Sequence, residues 1–309
     1  MASSFMRGLM RFATRLTIKP ILSPNVPVRL QRRLLKLAGA ATRVPRGVAV
    51  KPDTLGGLPG EWLGDSPVAG SPVILFLHGG GYCVGSLDSH RPITASLAKA
   101  AQLPVYAADY RLAPEHPYPA ALNDAVAVYR ALLDAGFDRI VLAGDSAGGG
   151  LALATALSLR DAGLPLPAAL LLLSPWADLA CSGATMRTHA AHDPMLSAAV
   201  LQRWGNEYRG RVPADHPLCS PLMAELRGLP PVLIQVGSDE VLLDDSMRLE
   251  KKLQQARVPV TLQVCPGLWH DFQLNAGVLS ESDDAIAALA AFARDTLASP
   301  APQKSRRSA

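Results

Sequence analysis

The sequence predicts an α/β fold: one mostly parallel central sheet with helices on both faces and a helical cap. Three observations point there. Short apolar runs bounded by Gly and Pro alternate with helical patterns along most of the chain, the signature of strand, crossover helix and parallel strand. Hydrophobic residues make up 49% of the 309, which supplies the core of a large buried sheet. The stretch Gly144-Asp145-Ser146-Ala147-Gly148-Gly149 lies where an apolar run turns into a long small-residue segment, so a buried strand should bend sharply there into a helix. A single domain over 1–309 is expected, because α/β folds of this size often keep one core.

Taken in order, residues 3–18 place Phe5, Leu9, Phe12 and Leu16 at three- and four-residue spacing, with Arg7, Arg11, Arg15 and Lys19 on another face, until Pro20 ends the pattern. This amphipathic basic helix is short enough to be marginal alone in water, so it is expected to fold back and bury its apolar stripe; lying on an anionic membrane surface is the alternative. It lacks the continuous apolar core of a secretory signal, although its Arg-rich, acid-free composition resembles an organelle transit sequence. A second helix runs from Pro27 through Leu30, Leu34 and Leu37 to Gly39. Extended runs follow at 47–50, 61–63 and 73–77. Strands at 105–108, 139–143, 168–173, 232–236 and 259–264 then alternate with helices at 120–135, 148–161, 242–255 and 283–297. From 177 to 222 the alternation is interrupted. Asp193-Pro194 reads there as an N-cap and first-turn proline of a helix through Leu201, Trp204 and Tyr208 that Gly210 closes. Segments 1–45 and 177–222 are expected to form the cap, and 299–309 a disordered tail.

Composition narrows the class. The apolar run 168–173 is far too short to span a bilayer. Cys83, Cys181, Cys219 and Cys265 lie far apart with no C-x-x-C or His partner at metal spacing, so neither a metal site nor a disulfide framework is expected. No Asp or Glu precedes Asp53, and residues 1–52 hold 11 of the 30 Lys and Arg, so a basic arm precedes an acidic body. A small molecule is the expected partner and nucleic acid is not. A cytoplasmic location is expected; peripheral membrane contact through the basic arm and a homodimer are left open.

The chemistry centres on Ser146. Gly144 and Gly148 bracket it in the G-x-S-x-G pattern of a nucleophile elbow, where a cramped strand-to-helix turn lifts the hydroxyl to the sheet's edge. A serine nucleophile needs a base, a group to orient that base, and donors for an oxyanion. The run 73–77 leads into His78-Gly79-Gly80-Gly81, whose backbone can aim N–H groups at a bound atom, so Gly80, Gly81 and Ala147 are the candidate oxyanion donors, with His78 and Gly79 in support. Among seven histidines, His270 alone follows the last strand and precedes the terminal helix, and it is the candidate base. Asp239, just past the 232–236 strand, is the expected orienter, with Glu240 as its rival and Asp244 and Asp245 deeper in the next helix. Tyr82 and Cys83 are candidates for acyl contact or plain packing. Trp204 and Tyr208 are candidate walls of an apolar substrate pocket.

With Asp109-Tyr110-Arg111-Leu112-Ala113-Pro114-Glu115-His116-Pro117 between them, His78-Gly79-Gly80-Gly81 and Gly144-Asp145-Ser146-Ala147-Gly148 resemble the hormone-sensitive lipase family of bacterial carboxylesterases, over about 30–297. The resemblance implies an α/β-hydrolase core, a cap from the N-terminal helices plus an insertion, and hydrolysis of short-chain acyl esters by a Ser, acid, His triad without a cofactor. The family's usual Asp-Pro-Leu is replaced by Asp239-Glu240-Val241-Leu242, which resembles a branch that includes monoterpene lactone hydrolases and makes lactone hydrolysis the alternative. A non-catalytic small-ligand receptor, as the related plant gibberellin receptors are, is the reading from another class.

Overall fold

The computed structural model describes residues 2–39 and 44–298. The tail expected at 299–309 lies outside them, as do residues 40–43. The chain begins with helices α1 (Ala2–Ile21) and α2 (Val28–Gly39), then a strand pair, β1 (Val50–Leu55) and β2 (Leu58–Leu63). The alternating part follows as β3 (Val73–Leu77), α3 (Leu87–Ala101), β4 (Val105–Ala108), α4 (Ala120–Asp134), β5 (Ile140–Asp145), α5 (Ala147–Asp161) and β6 (Ala169–Leu173). After a short α6 (Thr185–Thr188) and α7 (Ala198–Arg209) it resumes with β7 (Val232–Gly237), α8 (Leu243–Gln255), β8 (Val260–Cys265) and α9 (Ser280–Ala298).

The eight strands form one sheet in the order β1-β2-β4-β3-β5-β6-β7-β8, antiparallel at β1-β2 and β2-β4 and parallel elsewhere. The central strands are apolar along their whole length because both faces are covered. On β3, Val73, Leu75 and Leu77 pack on the side of α4, α5 and α8, while Ile74 and Phe76 face α3 and α9. Helix α5, which follows Ser146, is buried on nearly every side and so shows no polar face.

This strand order positions the site. From β3 the chain crosses to β4 on one side, while β5 lies on the other, so the loops after β3 and β5 diverge and leave a crevice at their carboxyl ends. The register pairs Leu77 with Gly144, which sets His78-Gly79-Gly80-Gly81 beside the turn at Ser146.

Several elements differ from the sequence reading; β1 covers 50–55, where the extended run is expected at 47–50. Helix α1 continues through Pro20 and ends one residue later, at Ile21. It folds back onto the body through Met6, Met10, Ile18 and Ile21 and through its basic residues, while Phe5, Leu9, Phe12 and Leu16 point outward instead of being buried. Asp193 is not the N-cap of α7; Ser197 is, its hydroxyl accepting from the Val200 N–H. Asp193 instead closes a tight turn by accepting from Met195 and Leu196 N–H, and its other oxygen accepts from Val241 N–H. Helix α3 went unread between two short strands; Ser86 and Ser89 cap it reciprocally.

Candidate active site

Ser146 sits between β5 and α5 with φ 52° and ψ −120°, a conformation an L-residue adopts only when its surroundings impose it. Its N–H donates to Leu173 O at 2.7 Å and its carbonyl accepts from Trp176 and Gly150 N–H, so neighbouring strand and helix hold the turn. Crowding explains the glycine after it: a Cβ on Gly148 would lie 2.0 Å from Leu77 O. In the facing loop, φ of 112° at Gly80 and 61° at Gly81 bends the backbone toward the same cavity that Ser146 lines.

The base candidate is where the sequence placed it. His270 is buried, with Nε2 2.9 Å from Ser146 Oγ and Nδ1 2.8 Å from Glu240 Oε2. The carboxylate that meets His270 is therefore Glu240 and not Asp239, the one expected. Asp239 turns outward, 29% of its side chain exposed, and pairs with Arg11 at 2.5 Å. Burial would raise the Asp239 carboxyl, but the Ser238 hydroxyl and the Arg11 guanidinium hold it below the usual range. Glu240 turns inward and is fully buried; its Oε1 accepts from Ser174 Oγ at 2.8 Å and Gly237 N–H at 2.6 Å, leaving Oε2 for His270. One signal could have found it: anchoring the family's Asp-Pro-Leu on Leu242 places Glu240, not Asp239, at the acid position.

Two residues that sequence reasoning passed over also face the base and the oxyanion loop. Asp271 Oδ2 lies 3.0 Å from His270 Nε2, on the same nitrogen that Ser146 approaches, and its Oδ1 has no partner among the described residues. Burial pushes the Asp271 carboxyl up to about 7, against the attraction of His270. Burial would lower the His270 imidazole, but Asp271 and then Glu240 outweigh it and hold its pKa well above the ordinary value. Asp145, the residue before Ser146, accepts from Gly79 N–H at 3.0 Å and faces His90 Nε2 at 3.1 Å, which ties the glycine loop after β3 to the turn at Ser146. Burial would raise the Asp145 carboxyl; His90 and His78 hold it down.

His78 acts as a brace for that loop. It is buried, stacked on Tyr110 at 4.5 Å, and Nδ1 lies 2.7 Å from Gly79 O. Burial, with His90 beside it, lowers its pKa to about 4 and keeps it neutral. Tyr110 Oη donates to His78 O at 2.6 Å, which gives the Tyr110 segment a role next to the site. Glu115 of that segment accepts from Arg32 of α2 at 2.8 Å, and Arg32 also donates to Cys83 O and Ala113 O, both at 2.7 Å.

A cavity of about 340 Å³ opens over Ser146 and His270. Met10, Ala13, Thr14, Thr17 and Ile18 of α1, Leu35 and Ala38 of α2, and Met195, Leu196 and Trp204 of the 177–222 segment supply its mostly apolar roof. Of the four wall candidates only Trp204 lines it. Tyr82 and Tyr208 stack on each other at 3.7 Å inside the core, and the Cys83 thiol packs under α7 against Trp204 O and Glu207. These three are kept from the cavity because their positions on the sheet side of the loop and helix make them packing residues.

The sequence matches the model of the alpha/beta hydrolase fold over residues 74–274. It is 47% identical over 253 residues to an acetyl-hydrolase of Streptomyces hygroscopicus, covering 81% of this chain and 83% of that one. To an esterase of Acinetobacter venetianus it is 39% identical, covering 80% and 82%. An esterase of known structure from the bacterial hormone-sensitive lipase family superposes with a TM-score of 0.87 at 38% identity, over 95% of this chain and 97% of that one. The chain belongs to the hormone-sensitive lipase family of α/β hydrolases. A hormone-sensitive lipase family member keeps its nucleophile at the elbow after a central strand, and Ser146 after β5 has that position here.

Proposed function

We propose that this carboxylic ester hydrolase cleaves short-chain acyl esters through Ser146, His270 and Glu240, with an acyl-enzyme intermediate. The observation that carries the proposal is the unbroken line from Glu240 Oε2 through both His270 nitrogens to Ser146 Oγ, at 2.8 and 2.9 Å. Ser146 Oγ attacks the ester carbonyl carbon while its proton passes to His270 Nε2. The carbonyl oxygen becomes an oxyanion held by the N–H groups of Gly80, Gly81 and Ala147, donors fixed before the charge forms. As the intermediate collapses, His270 returns the proton to the departing alcohol. Water, giving a proton to His270, then attacks the acyl carbon, and as the bond to Ser146 Oγ breaks His270 returns that proton to Oγ and the acid leaves. Glu240 holds the imidazole in the tautomer that leaves Nε2 free and steadies its positive charge.

Relatives named acetyl-hydrolase and ethyl acetate hydrolase support short acyl groups, as does a cavity of this size with an apolar roof. In this reading α1, α2 and the 177–222 segment form the cap of one domain. No described helix is long and apolar enough to cross a membrane. A reducing, cytoplasmic setting is part of the proposal, and four free cysteines, two of them buried, fit it.

The test is hydrolysis of 4-nitrophenyl esters of increasing chain length, with several lactones, by wild type and Ser146→Ala. Turnover of acetate and butyrate that falls with longer chains, and a loss of at least about a thousandfold in the variant, is expected. Retained activity in Ser146→Ala overturns the nucleophile, and turnover of lactones alone overturns the substrate class.

A further inference from the structure

Helix α1 presents a different chemistry on each side. Its inner side roofs the cavity and is fastened by cations: Arg11 and Lys19 donate to the carbonyls of His192 and Asp193 at 2.5 Å, and Arg15 to that of Ala191 at 2.9 Å. These bonds fix which way the helix is rotated. Its outer side therefore carries Phe5, Leu9, Phe12 and Leu16, exposed by 73, 48, 61 and 60%. The spacing of four, three and four residues makes them one continuous stripe along the helix. Four large apolar side chains aligned in water, on a helix whose other faces are satisfied, mark a surface that meets something.

The charge around the stripe selects the partner. No acidic residue occurs before Asp53, while Arg33 and Lys36 on α2 are exposed, as is Arg29, 3.9 Å from Glu115. A second copy docked by two-fold symmetry would bring two such acid-free segments together, cation against cation. An anionic lipid surface instead takes the apolar stripe into its acyl boundary and the flanking cations onto its headgroups.

We propose that the outer face of α1 docks this protein on anionic lipid surfaces, with the substrate cavity immediately behind the docked helix. The proposal does not depend on the chemistry at Ser146. It also gives the arrangement a use, since uncharged short esters partition toward such surfaces and would meet the cavity there.

The experiment is co-sedimentation of the purified full chain with phosphatidylcholine vesicles, with and without phosphatidylglycerol, beside the double variant Phe12→Ser, Leu16→Ser. Wild type should sediment at least tenfold more with phosphatidylglycerol present, and the bound fraction should fall with added salt and in the double variant. Turnover of a soluble acetate ester and the thermal midpoint, both unchanged, show that the variant is folded. Equal sedimentation of wild type with both vesicle types, or of wild type and variant, overturns the proposal. So does a wild-type dimer by light scattering that the double variant converts to monomer, since a second copy would then cover the stripe.

Discussion

His270 Nε2 faces two oxygens at nearly equal distance, Ser146 Oγ at 2.9 Å and Asp271 Oδ2 at 3.0 Å, and the second, with Glu240, favours the protonated imidazole. Asp271 favours the imidazolium and so raises the His270 pKa. Catalysis needs the neutral imidazole, so activity should rise with pH through that value. Asp271→Asn removes the negative charge, lowers the His270 pKa and should move the acidic limb of the kcat/KM profile to lower pH by roughly one unit. A pH–rate profile checks this; an unmoved limb shows that the Asp271 charge does not reach the base. That Ser146 and His270 meet was legible because each is tied to its place in the fold, one at a strand-to-helix turn and the other after the last strand. Which carboxylate meets His270 was not, because Asp239 and Glu240 are adjacent. Which one turns inward is decided by Arg11, 228 residues upstream, drawing Asp239 outward, and by Ser174 and Gly237 receiving Glu240.

The elements around the elbow pack backbone against backbone. Gly148→Ala would press a methyl group to within 2.0 Å of Leu77 O and should cost about 1–3 kcal/mol or more, read as a lower denaturation midpoint together with lost esterase activity. An unchanged midpoint would mean that the turn has slack. Strands β3 and β4 were legible to the residue, since unbroken apolar runs between Gly and Pro leave little choice. Helix α3 was not, because its buried side mixes His90, Pro92 and Thr94 with Ile93, Leu97 and Ala101, which blurs the apolar stripe. For α1 the period was right and the face wrong: hydrophobicity alone favoured burying Phe12, whereas the backbone carbonyls of 191–193 captured the cations instead.

At the scale of the whole molecule, a sheet that offers a crevice between β3 and β5 is closed over by segments far apart in sequence, and the cavity between them sets what can enter. Trp204 is the wall nearest the oxyanion loop, packed so closely that a Cβ on Gly81 would lie 2.2 Å from its ring. Trp204→Ala should extend turnover toward longer acyl chains while costing about 3–5 kcal/mol of stability. The ratio of octanoate to acetate kcat/KM, with a thermal melt, checks both; an unchanged ratio would place the acyl group elsewhere. The cavity's shape was not readable beforehand because it depends on how α1, α2 and α7 settle on the sheet. Whether Ser146, His270 and Glu240 act as one unit is decided by comparing kcat/KM of Glu240→Gln and Asp239→Asn on 4-nitrophenyl acetate. A loss on the order of ten-thousandfold is expected for Glu240→Gln and less than about tenfold for Asp239→Asn. The reverse ranking would make Asp239 the working carboxylate and break the unit.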